Sequence, residues 1–297
     1  IFDSLLFWKY DILFSYFYRY SFFAALLAKC FGKKTYFTGG IDSLDSDYAS
    51  AFNYKIQALF FKLCYWVADS CIIVSQSDLK NIFKVSSLKK KLSYSEHVIN
   101  TKLFIADVPK EKIFTSIVWM GDEGNVVRKG VDKALQIFAE LKKIPEFVDY
   151  RFVIIGRKGE GEVLVRSIID KYNLKGSVEL KGEVSEEDKI NLLKQSKYYF
   201  QLSLYEGFGL AALEALCANN IIIHSGKGGL ANPIYKEQLL FDIDNDFDSE
   251  LLKLVNKLAC FTPITSYDNL LEYYDIQRRK DDFEAIIVNG KSNYKLK

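Results

Sequence analysis

The chain has 297 residues, 49% of them hydrophobic, enough to build large cores and, as a prior from length, two domains. Its 40 lysines and arginines against 38 aspartates and glutamates leave no global positive field of the kind that draws a protein to nucleic acid irrespective of sequence, so no nucleic-acid partner is expected. The five cysteines, Cys30, Cys64, Cys71, Cys217 and Cys260, lack metal-site spacing and read as buried thiols in a reducing compartment.

Aromatic residues crowd the front, among them Trp8, Phe14, Tyr16, Tyr18 and Phe22, but Lys9, Asp11 and Arg19 interrupt the run. No apolar stretch approaches the roughly 18 residues that span a bilayer, and the basic start and cleavage site of a signal peptide are missing. A buried strand followed by a buried helix is the first reading, and a peripheral, surface-lying membrane contact the second. Because the sequence begins at Ile1 and its single methionine is Met120, a natural start upstream is expected.

In chain order, a short strand over 11–14 precedes a helix over 20–31 that Gly32 stops. A second strand over 35–38 ends at Gly39-Gly40, followed by a helix over 52–68, a buried strand over 71–75 and a short helix from Ser77. The pattern weakens between Val85 and Ile113, where Lys89-Lys90-Lys91 and Pro109-Lys-Glu-Lys read as solvated linker, and places a domain boundary at 108. Domains 1–108 and 109–297 follow. From Thr115 the alternation returns: a strand through Trp119, a helix over 131–142, a strand over 151–155, a helix over 162–172 and a strand over 178–180. Then come a helix over 186–195, a strand over 198–202, a helix over 209–217, a strand over 221–223 and a charged helical tail from Ser249. Strands alternating with helices predict parallel sheets covered on both faces, the second a complete Rossmann-like domain.

The strand 198–202 runs through Tyr205 into Glu206-Gly207-Phe208-Gly209 and a helix of small residues that carries Glu214 on its second turn. Glycines at a strand-to-helix turn let backbone N–H groups approach an anion, and the helix N-terminus favours phosphate. Ligands of open α/β sheets bind at this strand edge. A carboxylate before the turn can reach a sugar, and one two turns later can accept from ribose hydroxyls.

This segment, beginning Glu-Gly-Phe-Gly and separating Glu206 from Glu214 by seven residues, resembles the donor motif of glycosyltransferase family 4 (group 1), enzymes of the GT-B fold. Arg128-Lys129-Gly130 resembles the family's donor-phosphate segment, Phe152 to Gly156 its second strand and glycine turn, and Val178 to Val184 its base-side loop, with Gly228-Gly229 where the family has a glycine pair. Less specifically, Tyr10 to Leu13 and Gly32 to Thr35 resemble segments of the first domain. The resemblance implies α/β architecture of the GT-B type, two Rossmann-like domains whose parallel sheets face a cleft, the N-terminal acceptor-side domain truncated.

It also implies a retaining glycosyltransferase that moves a sugar from a UDP- or GDP-sugar donor to a glycan or lipid-linked acceptor, in surface polysaccharide or glycoconjugate synthesis. The nucleoside-diphosphate sugar is then a co-substrate, with no cofactor and no metal. Glu206 and Lys129 are the implied catalytic residues. Donor binding falls to Arg128, Gly207, Phe208, Gly209, Leu210, Glu214, Gly182 and Val184, and the acceptor side to Gly39, Gly40 and Asp42. The chain departs from the family where Asp122 follows Gly121 in place of an arginine, and where Thr38-Gly39-Gly40-Ile41-Asp42 carries no histidine. With no export signal read, a cytoplasmic location is expected, where nucleotide sugars are available, with peripheral contact at the inner membrane face as a further expectation. Two rivals stand beside this reading. Gly207-Phe-Gly209-Leu-Ala-Ala212 also fits the G-x-G-x-x-A dinucleotide fingerprint of NAD-dependent oxidoreductases, and a sugar-nucleotide-binding protein without catalysis would keep the same donor residues.

Overall fold

The computed structural model describes residues 9–16, 18–39, 44, 49–85, 90–105, 108–261 and 268–289. It forms two compact units, Ile1–Val98 with Ile276–Lys297, and Ile99–Asp275.

The first unit is built on four parallel strands, β1 (Ile12–Tyr16), β2 (Lys34–Thr38), β3 (Ser70–Ile73) and β4 (Leu92–Tyr94), in that spatial order. Helices α1 (Tyr18–Cys30), α2 (Ala51–Val67) and α3 (Gln76–Val85) connect them. Right-handed crossovers stepping in one direction put all three helices on one face. There Tyr18, Phe22, Phe61 and Cys64 pack on Phe37, Cys71 and Ile73.

The opposite face, with Tyr36 and Ile72, is covered by the last helix, α11 (Ile276–Asn289), through Phe283, Ile286 and Ile287. Phe14 stacks between Tyr36 and Phe283, with ring centroids 5.1 and 5.4 Å away. The Ser95 hydroxyl donates to Asp282 at 2.9 Å, and Arg278 and Arg279 donate to the Glu96 carbonyl at 3.4 and 3.2 Å. The charged tail from Ser249 therefore divides: α9 and α10 stay with the second unit, and only its last helix joins the first. The apolar stripe of that helix completes the first sheet.

The division between units also falls at 98/99 rather than 108. Charge made this stretch look like linker, but Ile99 pairs with Asp275, its N–H donating to the Tyr274 carbonyl at 3.0 Å, and Phe104 is buried in the second unit's core.

The second unit holds six parallel strands, β5 (Glu111–Ile117), β6 (Arg151–Ile155), β7 (Val178–Gly182), β8 (Ser196–Gln201), β9 (Ile221–His224) and β10 (Leu239–Leu240). Their spatial order is β10-β9-β8-β5-β6-β7. Between the strands run α4 (Glu123–Arg128), α5 (Val131–Leu141), α6 (Glu162–Lys171), α7 (Glu186–Gln195) and α8 (Leu210–Cys217), followed by α9 (Phe247–Cys260) and α10 (Asp268–Tyr273). Strands buried on both faces alternate their side chains between two cores: Phe114, Phe152, Tyr198 and Phe200 meet α5 and α6, while Tyr199 and Ile222 meet α7 and α8. The sense in which successive strands are added reverses between β5 and β8. In doubly wound sheets that switch point opens a crevice at the carboxyl ends of the two strands.

Candidate active site

The loops leaving β5 and β8 carry the two residues expected to do chemistry. After β5, the chain turns through α4 to Arg128-Lys129-Gly130. Gly130 takes φ +69° and caps α5, and an added Cβ there would overlap the Leu202 carbonyl, so glycine is required for this approach. The Leu204 N–H donates to the Arg128 carbonyl at 2.8 Å. The two switch-point loops are thus pinned together at 128–130 and 202–204.

From this anchor the Lys129 ammonium lies 2.7 Å from Glu206 Oε2, with side chains only 21% and 16% exposed. The same oxygen accepts from Ser203 Oγ and from Gln201 Nε2, both at 3.1 Å. Gln201 is itself held: Tyr199 donates to its Oε1 at 3.1 Å while accepting from the Ile117 N–H at 3.3 Å. Among the described residues every hydrogen bond to the Glu206 carboxylate goes to Oε2, which leaves Oε1 available to an incoming hydroxyl.

The Glu206 backbone is fixed from the other side, its carbonyl accepting from the Gly229 N–H at 2.5 Å. Gly228 and Gly229 lie so close to the backbone of Glu206 and Phe208 that neither has room for a Cβ. Gly209, at φ +88°, caps α8, and Leu210 begins that helix half exposed. The first-turn N–H groups of a helix have no intrahelical partner, and such an end favours an anion.

Glu214, on the second turn of α8, pairs with Lys189 of α7 at 3.0 Å, and Lys189 also meets Glu186 at 2.8 Å. Burial raises the Glu214 pKa above the ordinary carboxyl value, and the Lys189 hydrogen bond offsets only part of this. Burial opposes the Lys189 charge, but its hydrogen bonds to Glu186 and Glu214 together outweigh that and hold the ammonium above the ordinary lysine value.

Other expected donor residues are placed differently. Phe208 is 5% exposed and turns its ring into the core with Ala212, Leu230 and Tyr274, so any part it has in binding comes from its backbone. The Arg128 guanidinium is engaged by Asn125 Oδ1 at 2.7 Å. Gly182 ends β7 at φ +79°, its carbonyl accepting from the Gly156 N–H at 2.8 Å and its open face covered by the Lys158 side chain. Val184 is partly buried against Ile113, Val153 and Leu192. On the acceptor side, Gly39 is buried at the end of β2 with φ +117°, and Gly40 and Asp42 lie outside the described residues. Among the described residues no group of three His, Cys, Asp or Glu side chains is arranged to hold a metal.

Sequence reasoning did not find Ser203, Gln201, Tyr199 or Lys189. The polar Gln201 and Ser203 at the end of a buried strand were the available signal, since a buried amide and hydroxyl need partners.

Two open α/β units, each on a parallel sheet, are the architecture of the GT-B fold. Residues 124–259, most of the second unit, match the family model described as Glycosyl transferases group 1. The chain is similar to the GDP-mannose:cellobiosyl-diphosphopolyprenol alpha-mannosyltransferase of Xanthomonas oryzae pv. oryzae, 32% identical over 48% of this chain and 40% of that protein. It is similar, too, to a phosphatidylinositol N-acetylglucosaminyltransferase subunit of Arabidopsis thaliana, 25% identical over 70% of this chain and 46% of that protein. The chain thus matches less than half the length of either relative. Among solved structures, HepE of Anabaena in complex with UDP-glucose superposes with a TM-score of 0.77 at 12% identity, covering 97% of this chain and 81% of that one. Sucrose-phosphate synthase of Thermosynechococcus elongatus does so at 0.70 and 20%, covering 95% and 72%. At these identities the structures speak for the fold.

Proposed function

We propose that the protein is a retaining glycosyltransferase that moves a sugar from a UDP- or GDP-sugar to a glycan or lipid-linked acceptor in surface polysaccharide or glycoconjugate synthesis. The observation that carries this is the Lys129–Glu206 pair at the switch-point crevice, beside the N-terminus of α8.

As the donor's glycosidic bond breaks, negative charge grows on the diphosphate and positive charge on the sugar ring. Fixed donors that meet the departing phosphate lower that barrier. Lys129 and the first amides of α8 are those donors, and the free Oε1 of Glu206 orients the sugar hydroxyls. Glu214 accepts from the ribose, held in place by Lys189. The departing phosphate takes the acceptor's proton, and the nucleotide sugar is a co-substrate rather than a cofactor. In this reading the enzyme is cytoplasmic, where nucleotide sugars are available, and works at the inner membrane face. No helix of the described residues is long and apolar enough to cross a membrane.

The dinucleotide reading loses ground on one structural point. Its glycine turn should follow the first strand of the Rossmann unit, with an acid ending the next strand to hold the ribose. Here it follows β8, the fourth strand of the second unit, and β9 ends at His224, followed by Ser225.

Calorimetry with UDP, GDP and NAD, on the chain and on Glu214→Ala, tests the reading. Micromolar binding of one nucleoside diphosphate, weakened about tenfold or more by the substitution, is expected, with no heat from NAD. NAD binding without response to UDP or GDP would overturn it. Binding of the matching nucleotide sugar with no sugar released or transferred would identify a donor-binding protein without catalysis.

A further inference from the structure

Among the described residues, an apolar and basic helical face of the first unit is left exposed. Helices α1 and α2 contact one another and turn their buried stripes toward the same side of the sheet, so their opposite stripes look outward together. On α1 that stripe is Tyr20, Phe23 and Leu27, continued by Phe31 just past the helix end. On α2 it is Phe52, Leu59 and Trp66, with Lys55 and Lys62 between them. At 3.6 residues per turn, the α2 residues fall within about 80° of the helix circumference. The exposure is large: 80% for Tyr20, 71% for Phe23, and 73% for both Phe52 and Trp66. Helices apolar on both faces need something to cover the second one.

The charges near this face are one-sided. Residues 12–41 and 48–68 contain no aspartate or glutamate, but include Arg19, Lys29, Lys33, Lys34, Lys55 and Lys62. Lys29 is taken up by Asp69 at 2.8 Å and Lys33 by Asp11 at 3.5 Å. Arg19, Lys55 and Lys62 make no ion pair among the described residues, and the nearest acids before α2, Asp42, Asp45 and Asp47, lie outside them.

A second copy of the chain would bring these cations against themselves across an isologous contact. An anionic bilayer uses both halves of the pattern, because tryptophan, tyrosine and phenylalanine settle at headgroup depth while lysine and arginine reach lipid phosphates. We propose that the α1–α2 face is a docking surface for an anionic lipid bilayer. Phe23, Phe52, Leu59 and Trp66 enter the interface, and Arg19, Lys55 and Lys62 engage the headgroups. This rests on the inner-membrane-face location proposed above and names the surface that makes the contact, but it does not depend on the donor site.

The test is cosedimentation of the full chain with vesicles of phosphatidylglycerol and phosphatidylcholine in equal parts, against phosphatidylcholine alone. Binding should favour the anionic vesicles and weaken with salt. Lys55→Glu and Lys62→Glu should each lower partitioning about fivefold or more, and Phe52→Ser with Leu59→Ser should abolish it, all with unchanged circular dichroism. With Trp8→Phe and Trp119→Phe, Trp66 remains as the last of three tryptophans, and its emission should shift blue on adding anionic vesicles.

Three results would overturn the proposal: no partitioning by a folded chain, Trp66 emission already blue in buffer because another segment shields it, or a dimer in sedimentation velocity that Leu59→Ser dissolves. Nucleotide calorimetry on the same samples keeps the two readings apart. A chain that binds no nucleotide yet partitions onto anionic vesicles would sink the donor reading and leave this one standing.

Discussion

Glu206 Oε2 collects a lysine, a hydroxyl and an amide, and this convergence decides what removing any one of them does. If Lys129 were the sole partner of a buried carboxylate, losing it would cost several kcal/mol of stability, about 3–5. With Ser203 and Gln201 still donating, and both ionic side chains partly exposed, Lys129→Met should cost only about 1–2 kcal/mol in denaturant unfolding. Turnover is a different matter. A cation aimed at the departing diphosphate acts where charge develops, and its loss should lower the rate by about 10²–10³. Comparing the unfolding midpoint of Lys129→Met with its turnover separates the two roles. Equal, small effects on both would mean the lysine serves the fold alone. The sequence pointed to Lys129 and Glu206 because each sits in a recognisable segment, but not to their contact, since 77 residues separate them and only the reversal between β5 and β8 brings them together.

Helices α7 and α8 flank β8 and end near one partly buried lysine, an element-scale device that the linker reading of 109–112 missed. Lys110 donates to the carbonyls of Leu193 at 3.3 Å, Lys194 at 2.8 Å and Ala218 at 2.5 Å, the last turn of α7 and the C-cap of α8. Carbonyls at helix C-termini lack intrahelical partners and carry the negative end of the dipole, so one ammonium satisfies both helices at once. Lys110→Ala should destabilise the second unit by about 1–3 kcal/mol, read as a lower thermal midpoint. Lys110→Arg should recover part of it, and an unchanged midpoint for the alanine variant would show that water replaces the ammonium at no cost. Elements were legible wherever periodicity and punctuation agreed. The helix over 20–31 was expected to stop at Gly32, and α1 does end at Cys30 with Gly32 at φ +70°. What stayed hidden was short or chosen by tertiary contact. β4 is three residues inside a lysine-rich stretch, β10 is two, and α4 is split from α5 by Gly130 in its left-handed conformation. α11 could not be assigned from its own residues, because its amphipathic pattern fits any sheet face and only the uncovered side of β1 to β3 selects it.

At the scale of the whole molecule, each unit carries one of the two histidines, and burial depresses both. His224, at the end of β9 beside Tyr235, is pushed down to about 4 by burial, and His97, beside β4 with its Nδ1 2.6 Å from Arg279, is pushed to about 4 by burial and then by the arginine's charge. A histidine that is neutral in the fold but free to protonate when unfolded makes the unfolded chain bind more protons between the two pKa values. Stability from these groups is therefore fully present above the unfolded value of 6.5 and is lost as pH falls through the folded value of about 4. At the low end each contributes a loss on the order of 3 kcal/mol, with one pKa unit equal to about 1.4 kcal/mol. Because one group lies in each unit, acid should loosen both over the same window. Urea unfolding between pH 7 and pH 4 should show stability falling across that range, and His224→Leu should flatten the part due to the second unit while leaving the first unit's decline in place. A midpoint that holds steady from pH 6.5 down to 4, or a decline that His224→Leu leaves untouched, would show that the buried imidazoles are not what acid acts on.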